Sequence, residues 1–272
     1  MQTTNPIAVS VLIRTFNSAK TLERVLSGLK LVEGEEYIIV DSGSTDSTLS
    51  ISAAHGARII HATGPFNYSK SLNAGFRAAR NPWVLVISSH SIPVVADLLA
   101  VYRSVARELP PRVVVAYGPS TLDGKGPPDE QVRHYTQENY RSVYTACTNT
   151  NTLYRRSIWE EVPFDENIRT AEDKIWLLEV LKRDYAICLV PAARTLNKSQ
   201  YSLRYMFLKG HSDFRSVPHK PQSLVDLALA VGSLTKRFLR GGMPVGNLVR
   251  FSAHALGQFF GSRQDYDNTP GK

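Results

Sequence analysis

The sequence predicts an α/β fold: a mostly parallel, Rossmann-like sheet covered by helices, with a helical appendage at the C-terminal end. Three observations predict it. Short, continuously apolar runs rich in Val, Ile and Leu alternate with helical stretches over the first 120 residues, the pattern of strands buried on both faces. Parallel neighbours need right-handed crossovers, which wind such an alternation into a doubly covered layer. Beyond residue 202 only helical periodicity is left.

The elements follow in order. Residues 8–13 (AVSVLI) read as a buried strand. Residues 18–30 read as a helix, with Ser18 as N-cap and Leu22, Val25, Leu26 and Leu29 at helical spacing. A strand at 37–40 runs into Asp41, a helix covers 46–55, and a third strand covers 58–61. A helix at 68–80 leads to the strand 83–87 (WVLVI), a helix at 94–108 and a strand at 113–117. After Pro119 the pattern changes. LDGKGPPDEQ is a loop, 145–154 a strand, 171–183 a helix, and 185–190 (YAICLV) a strand bounded by Pro191. Helices at 202–214, 223–240 and 245–260 complete the chain, which divides into a main domain, 1–218, and an extension, 219–272.

Composition excludes several classes. With 43% hydrophobic and 21% charged residues the chain folds rather than staying disordered. No run of eighteen apolar residues supports a transmembrane helix, and the N-terminus lacks the basic start and apolar stretch of a secretory signal. Two cysteines, Cys147 and Cys188, make neither a metal cluster nor a disulfide framework, so reduced thiols in a cytoplasmic protein are expected. The net charge of +8 favours an anionic partner. Nucleic acid is not expected to be that partner, because no basic stripe interleaved with aromatics and no helix-turn-helix spacing is present.

In a doubly wound sheet, ligands bind at the carboxyl ends of the strands. Three segments place polar groups there: Arg14-Thr15-Phe16-Asn17, then Asp41-Ser42-Gly43-Ser44-Thr45-Asp46, then Ser88-Ser89-His90-Ser91. Asp41 offers the acceptor that a nucleoside needs. The same segment is also good turn and cap chemistry, and the readings are compatible: Asp46 caps while Asp41 binds. There is no GxGxxG and no GxxxxGK[ST], so a dinucleotide site or a P-loop lacks support. Glu172-Asp173 opens a helix. Acids there are ordinary, being stabilised by the helix dipole by about 0.3–1 kcal/mol; the alternative is a general base for a hydroxyl.

Taken together, VSVLIRTFN, IIVDSGSTDST, FNYSKSLNAGFRAARNPWVLVISSHSIP and WEEVPFDENIRTAEDKIWLLEVL resemble family 2 glycosyltransferases of the GT-A fold, closest in flavour to a bacterial rhamnosyltransferase-like branch. The resemblance runs over residues 7–215 and rests on four motifs in the right order. It implies an inverting transfer of a hexosyl or deoxyhexosyl unit from a nucleotide-diphosphate sugar to a hydroxyl of a saccharide or lipid-linked acceptor, in cell-envelope polysaccharide synthesis. Thr15, Asn17 and Asp41 match residues that hold the nucleoside, with Ser44 in the same loop. Lys70 and Asn73 match a donor-site stretch, with Lys70 set against a phosphate, and Asn149 and Asn151 match a segment near the sugar. Asp173 matches the catalytic base, with Glu172 beside it.

The metal motif of the family falls on Ser89-His90-Ser91, where no carboxylate stands. His90 is then the metal candidate, and a divalent cation, Mn2+ or Mg2+, stays open as cofactor beside a metal-free alternative in which His90 donates to the diphosphate. Histidines common in the branch are also replaced by Leu196-Asn197-Lys198-Ser199, which leaves Lys198, Arg204 or His211 as sources of positive charge. The missing carboxylate motivates the alternative of a non-catalytic nucleotide-sugar-binding protein; the retained Glu172-Asp173 argues against it.

The extension is amphipathic, with Leu224, Leu227, Ala228, Val231, Leu234 and Phe238 along one face and Lys236, Arg237 and Arg240 at its end. Packing on protein, a homodimer contact and an anionic membrane surface at the inner face of the cell membrane are the partners it allows.

Overall fold

The computed structural model describes residues 7–126, 131–140, 147–168, 171–198, 203–204, 207, 210, 224–239 and 245–261. They form two compact units: 1–167 with 172–199, and 168–171 with 200–272.

The first unit is built on an eight-stranded sheet of order β3-β2-β1-β4-β9-β6-β10-β8. Its strands are β1 Val9–Thr15, β2 Glu36–Asp41, β3 Arg58–His61, β4 Trp83–Ile87, β6 Val113–Tyr117, β8 Arg133–Tyr135, β9 Asn151–Arg155 and β10 Ala186–Leu189. A three-stranded sheet joins β5 Ser91–Pro93, β11 Thr195–Asn197 and β7 Ser120–Thr121 in the order β5-β11-β7. The helices of this unit are α1 Ala19–Ser27, α2 Thr48–Ala54, α3 Tyr68–Ala78, α4 Leu98–Glu108, α5 Arg156–Glu161 and α6 Glu172–Lys182.

The main sheet is mostly parallel, as the apolar runs require, but β9 is antiparallel to both β4 and β6, and β8 is antiparallel to β10. The expectation of a strand over 145–154 is corrected here. The strand begins at Asn151, because residues 149–150 form a turn that feeds β9 back along β4 from that strand's carboxyl end. Residues 145–146 lie outside the described residues. The helix expected at 94–108 starts only at Leu98, where the Asp97 side chain accepts from Ala100 N at 3.1 Å and caps it. The short strands β5, β7, β8 and β11 and helix α5 have no counterpart in the sequence pattern; strands of two or three residues are too brief to show periodicity.

Alternation along β1 explains the two cores. Val9, Val11 and Ile13 face Leu22, Val25, Leu98 and Tyr102, whereas Leu12 faces Leu72, Phe76 and Val86 on the opposite side. The second core is aromatic: Phe76 stacks on Trp159 at 5.1 Å between centroids and meets Tyr154 and Phe164 edge-on. Gly118, just after β6, has no room for a side chain. A Cβ there would run into the Ala193 carbonyl and the Asn151 amide, so only glycine lets these segments close at the carboxyl edge.

In the second unit, α7 Leu224–Leu239 and α8 Val245–Gly261 pack against each other. Leu227, Val231 and Leu234 are half-buried and Ala255 is buried, while Leu229, Leu239, Val249 and Leu256 are exposed. Most of the helix expected at 202–214 lies outside the described residues, His211 included; residues 203, 204, 207 and 210 are helical. Among the described residues no helix is long and apolar enough to cross a membrane.

Candidate active site

Register brings the first group together. Thr15 ends β1 directly opposite Asp41 at the end of β2. Thr15 Oγ1 and Ser44 Oγ donate to Asp41 Oδ1 at 2.8 and 2.5 Å, and the Gly43 and Ser44 amides donate to Oδ2 at 2.9 and 2.8 Å. Burial raises the Asp41 carboxyl, but these four donors more than offset it and hold it below the usual carboxylate range. Asn17 adopts a left-handed backbone (φ 46°), which asparagine tolerates. Its N–H donates to Ser44 Oγ at 2.9 Å and its Oδ1 accepts from Thr45 N at 2.8 Å, binding the two loops into one rim. Asp46 is structural. It accepts from Thr48 N at 3.0 Å and from Ala19 N at 3.1 Å, at the starts of α2 and α1. Ser18 is the N-cap residue of α1, as expected, but makes no side-chain cap bond; its hydroxyl shares a hydrogen with Ser89 Oγ at 2.9 Å.

The end of β4 connects this rim to α6. Ser88 N donates to Thr150 O at 3.1 Å, and Thr21 Oγ1 donates to Ser89 O at 2.7 Å. The His90 carbonyl accepts from Lys198 N at 2.9 Å, where β11 runs antiparallel to β5. In the turn before β9, the Asn149 N–H donates to Asp173 Oδ2 at 3.2 Å, its Nδ2 donates to Glu172 Oε1 at 3.1 Å, and its Oδ1 accepts from Tyr154 OH at 2.6 Å. Asp173 is half-buried and Glu172 is buried. Burial first, then the neighbouring Asp173, push the Glu172 carboxyl up, against the opposing pull of Arg14. Ala171, immediately before this pair, is held at φ 62°, a conformation that costs an alanine about 1–2 kcal/mol.

Arg14 is a residue for which the sequence reading had no role. Its Nη1 lies 3.6 Å from Glu172 Oε1, and its guanidinium carbon sits 4.7 Å from the centre of the Tyr68 ring. The signal was present. Period two puts Arg14 on the sheet face opposite Thr15, a lone cation at the end of a buried strand. Phe16, beside it, is 62% exposed at the same edge.

Of the predicted contacts, Asn73 and Asn151 spend their side chains in buried hydrogen bonds, and Lys70 and Lys198 stand exposed. Asn73 is buried, with Nδ2 donating to Phe164 O and Glu166 Oε1 and with Oδ1 accepting from Trp159 Nε1 and Phe164 N. Asn151 is fully buried; it accepts from Tyr102 OH at 2.9 Å and donates to Ala193 O at 2.6 Å. Lys70 is exposed on α3, and its charge is felt by Glu166. Lys198 is exposed as well.

The hydroxyls at the metal motif are already engaged within the protein. The Ser89 hydroxyl is paired with Ser18, and Ser91 Oγ shares a hydrogen with Ser120 Oγ at 3.3 Å. Among the described residues no three His, Cys, Asp or Glu side chains are grouped to hold an ion. Within the motif itself His90 supplies an imidazole, and neither Ser89 nor Ser91 carries a carboxylate. Hard cations such as Mg2+ are held by oxygen ligands, carboxylates above all, so the donors that Ser89-His90-Ser91 itself brings do not make a carboxylate-anchored cation site.

Burial first, and the charge of Arg14 second, push the His90 imidazole down to about 4. The sign of the pH effect follows. Between the ordinary 6.5 and about 4 the unfolded chain binds a proton that the folded chain refuses, so stability falls as pH falls through that window. The full effect is up to about 3 kcal/mol. His90→Gln is expected to flatten the fall in melting temperature between pH 6.5 and pH 4; an unchanged slope in the variant would show that His90 is not its source.

Residues 10–162 match the family model described as Glycosyl transferase family 2. An uncharacterized glycosyltransferase of Mycobacterium tuberculosis is 33% identical over 91 residues, covering 34% of this chain and only 40% of that relative. Among solved structures, S. aureus TarS 1–349 in complex with UDP-GlcNAc is similar with a TM-score of 0.57 and 18% identity, over 93% of this chain and 81% of that one. The mannosyltransferase PcManGT from Pyrobaculum calidifontis, in complex with GDP-Man and Mn2+, gives a TM-score of 0.59 and 14% identity, over 94% of this chain and 88% of that one. At such identities the likeness is one of fold, the GT-A fold of glycosyltransferases.

Proposed function

The chain belongs to glycosyltransferase family 2, and from that premise we propose an inverting transferase that moves a sugar from a nucleoside-diphosphate donor to a hydroxyl of a saccharide or lipid-linked acceptor. The observation that carries the reading is Asp173, half-buried at the start of α6 and held by the Asn149 N–H. In this mechanism Asp173 takes the proton of the acceptor hydroxyl as that oxygen attacks C1, and the bond to the diphosphate breaks on the opposite side. Glu172, more deeply buried, is the costlier place for negative charge, which suits Asp173 rather than its neighbour as the base.

The nucleoside end is assigned to the rim of Thr15, Asn17, Asp41 and Ser44. Asp41 already accepts four hydrogen bonds, about the capacity of a carboxylate. A ribose or base therefore enters by exchanging one hydroxyl, Thr15 or Ser44, for its own donor. The exposed ring of Phe16 lies at the same edge and offers a face for stacking. The reading extends to a hexose or deoxyhexose donor, as in the rhamnosyltransferase-like branch, and to cell-envelope polysaccharide assembly at the inner face of the membrane. There the basic end of α7 would meet anionic lipid.

The test is a thermal-shift panel of UDP, GDP, dTDP and CDP with their sugar forms. One nucleoside diphosphate is expected to raise the melting temperature by several degrees at saturation. Failure of the whole panel would remove the donor site.

A further inference from the structure

Arg14 holds a donor that the fold does not use. Its Nη1 is sealed from solvent and makes no hydrogen bond. Glu172 Oε1, at 3.6 Å, attracts the charge but is too distant to accept the proton. Tyr68 supports the guanidinium from one side. The side chain as a whole is 17% exposed, so part of it is open to solvent although Nη1 is not. A buried guanidinium with an unpaired N–H is costly, and a native fold that keeps one in a cleft calls for an anion that arrives later. The segment Ser89-His90-Ser91 itself carries no carboxylate, and among the described residues no three His, Cys, Asp or Glu side chains are grouped to hold a cation.

The two observations answer each other. We infer that Arg14 receives the diphosphate of the donor and supplies the positive charge that a carboxylate-held divalent cation would otherwise bring. The inference rests on the reading of the chain as a nucleotide-sugar transferase. A guanidinium suits the task, being always charged and presenting a planar fork of donors to phosphate oxygens. As the bond from C1 to the phosphate oxygen breaks, its electron pair stays on that oxygen, where the Arg14 donors meet the developing charge. The acceptor oxygen forms the new bond to C1 and its proton passes to Asp173. Glu172, set back by 3.6 Å, holds the guanidinium in place without consuming its donors.

The experiment measures binding of UDP, GDP, dTDP and CDP by calorimetry, in EDTA and in Mn2+, to the parent, R14K, R14M and R14M/E172Q, with melting curves to show that each is folded. The parent is expected to bind one of the four in EDTA within about threefold of its affinity in Mn2+. R14M should lose about 30-fold, the scale of removing one partner of a buried charge pair. R14K, which keeps the charge but not the fork, should lose about fivefold. The double variant should stay as weak as R14M, because neutralising Glu172 restores no phosphate ligand. Full affinity in R14M, recovery in the double variant, or loss of parent binding in EDTA would each overturn the inference and leave the transferase reading standing. A parent that binds none of the four would overturn that reading, and this inference with it.

Discussion

Asp173→Asn is expected to bind the donor nucleotide as the parent does and to lose about 10³-fold in kcat, the middle of the range for a positioned general base. The carboxylate sits at the start of α6 with Oδ2 accepting from Asn149 N and Oδ1 accepting from Lys174 N at 2.8 Å. An asparagine keeps the shape and one acceptor, so the fold should lose little, about 1 kcal/mol. What it cannot do is take a proton. Single-turnover transfer from the donor identified by the nucleotide panel gives the rate, and calorimetry with the nucleoside diphosphate gives the affinity. Turnover within a few fold of the parent would strip Asp173 of its role. A parallel loss of donor affinity would mean that the change disturbs the cleft rather than the chemistry. Glu172→Gln is the control on the neighbour: its oxygen serves Asn149 and faces Arg14, so its loss should act on the shape of the site more than on the chemical step.

Asn73→Leu is expected to lower stability by about 3 kcal/mol, because it leaves two buried N–H groups without acceptors. Those groups are the Trp159 indole and the Phe164 amide, which donate to Asn73 Oδ1 at 2.9 and 3.1 Å. The amide's own hydrogens, given to Phe164 O at 2.8 Å and Glu166 Oε1 at 2.9 Å, are lost as well. Asn67 makes a matching contact, donating to Glu166 O at 2.8 Å while its Oδ1 caps α3. The two asparagines tie α3 to the segment 159–166 that precedes Glu172 and Asp173. Thermal unfolding should show a drop of about 10 °C for a chain of this size. The resemblance assigns Asn73 to the donor, which requires the opposite result: weakened nucleotide binding with the melting temperature almost unmoved. The two measurements on one variant separate these roles.

Asn73 also shows where a sequence stops being informative. FNYSKSLNAG marks a helix start and a family motif, yet the partners of Asn73 lie 86 to 93 residues further along the chain. No local pattern reports a contact of that range. Asn151 is similar: its amide is consumed by Tyr102 and Ala193, which approach it only because β9 inserts between β4 and β6. Arg14 was visible as a lone charge ending an apolar strand, but its meaning depends on Tyr68 and Glu172, brought in by two helices. Thr15 and Asp41, by contrast, were readable, because parallel strands joined by a crossover end at the same edge and the register sets their last residues side by side.

By itself the sequence determined the strands β1 to β4 and β6, the helices between them, and the polar segments at their carboxyl ends. These follow from local rules, period two and period 3.6, cap and turn chemistry, that act within a dozen residues. Only the tertiary structure decided the reversed β9, the small sheet that clamps His90, and the sorting of asparagines between core and cleft. The physical reason is that buried polar groups must find partners wherever packing brings them, and packing is a property of the whole chain.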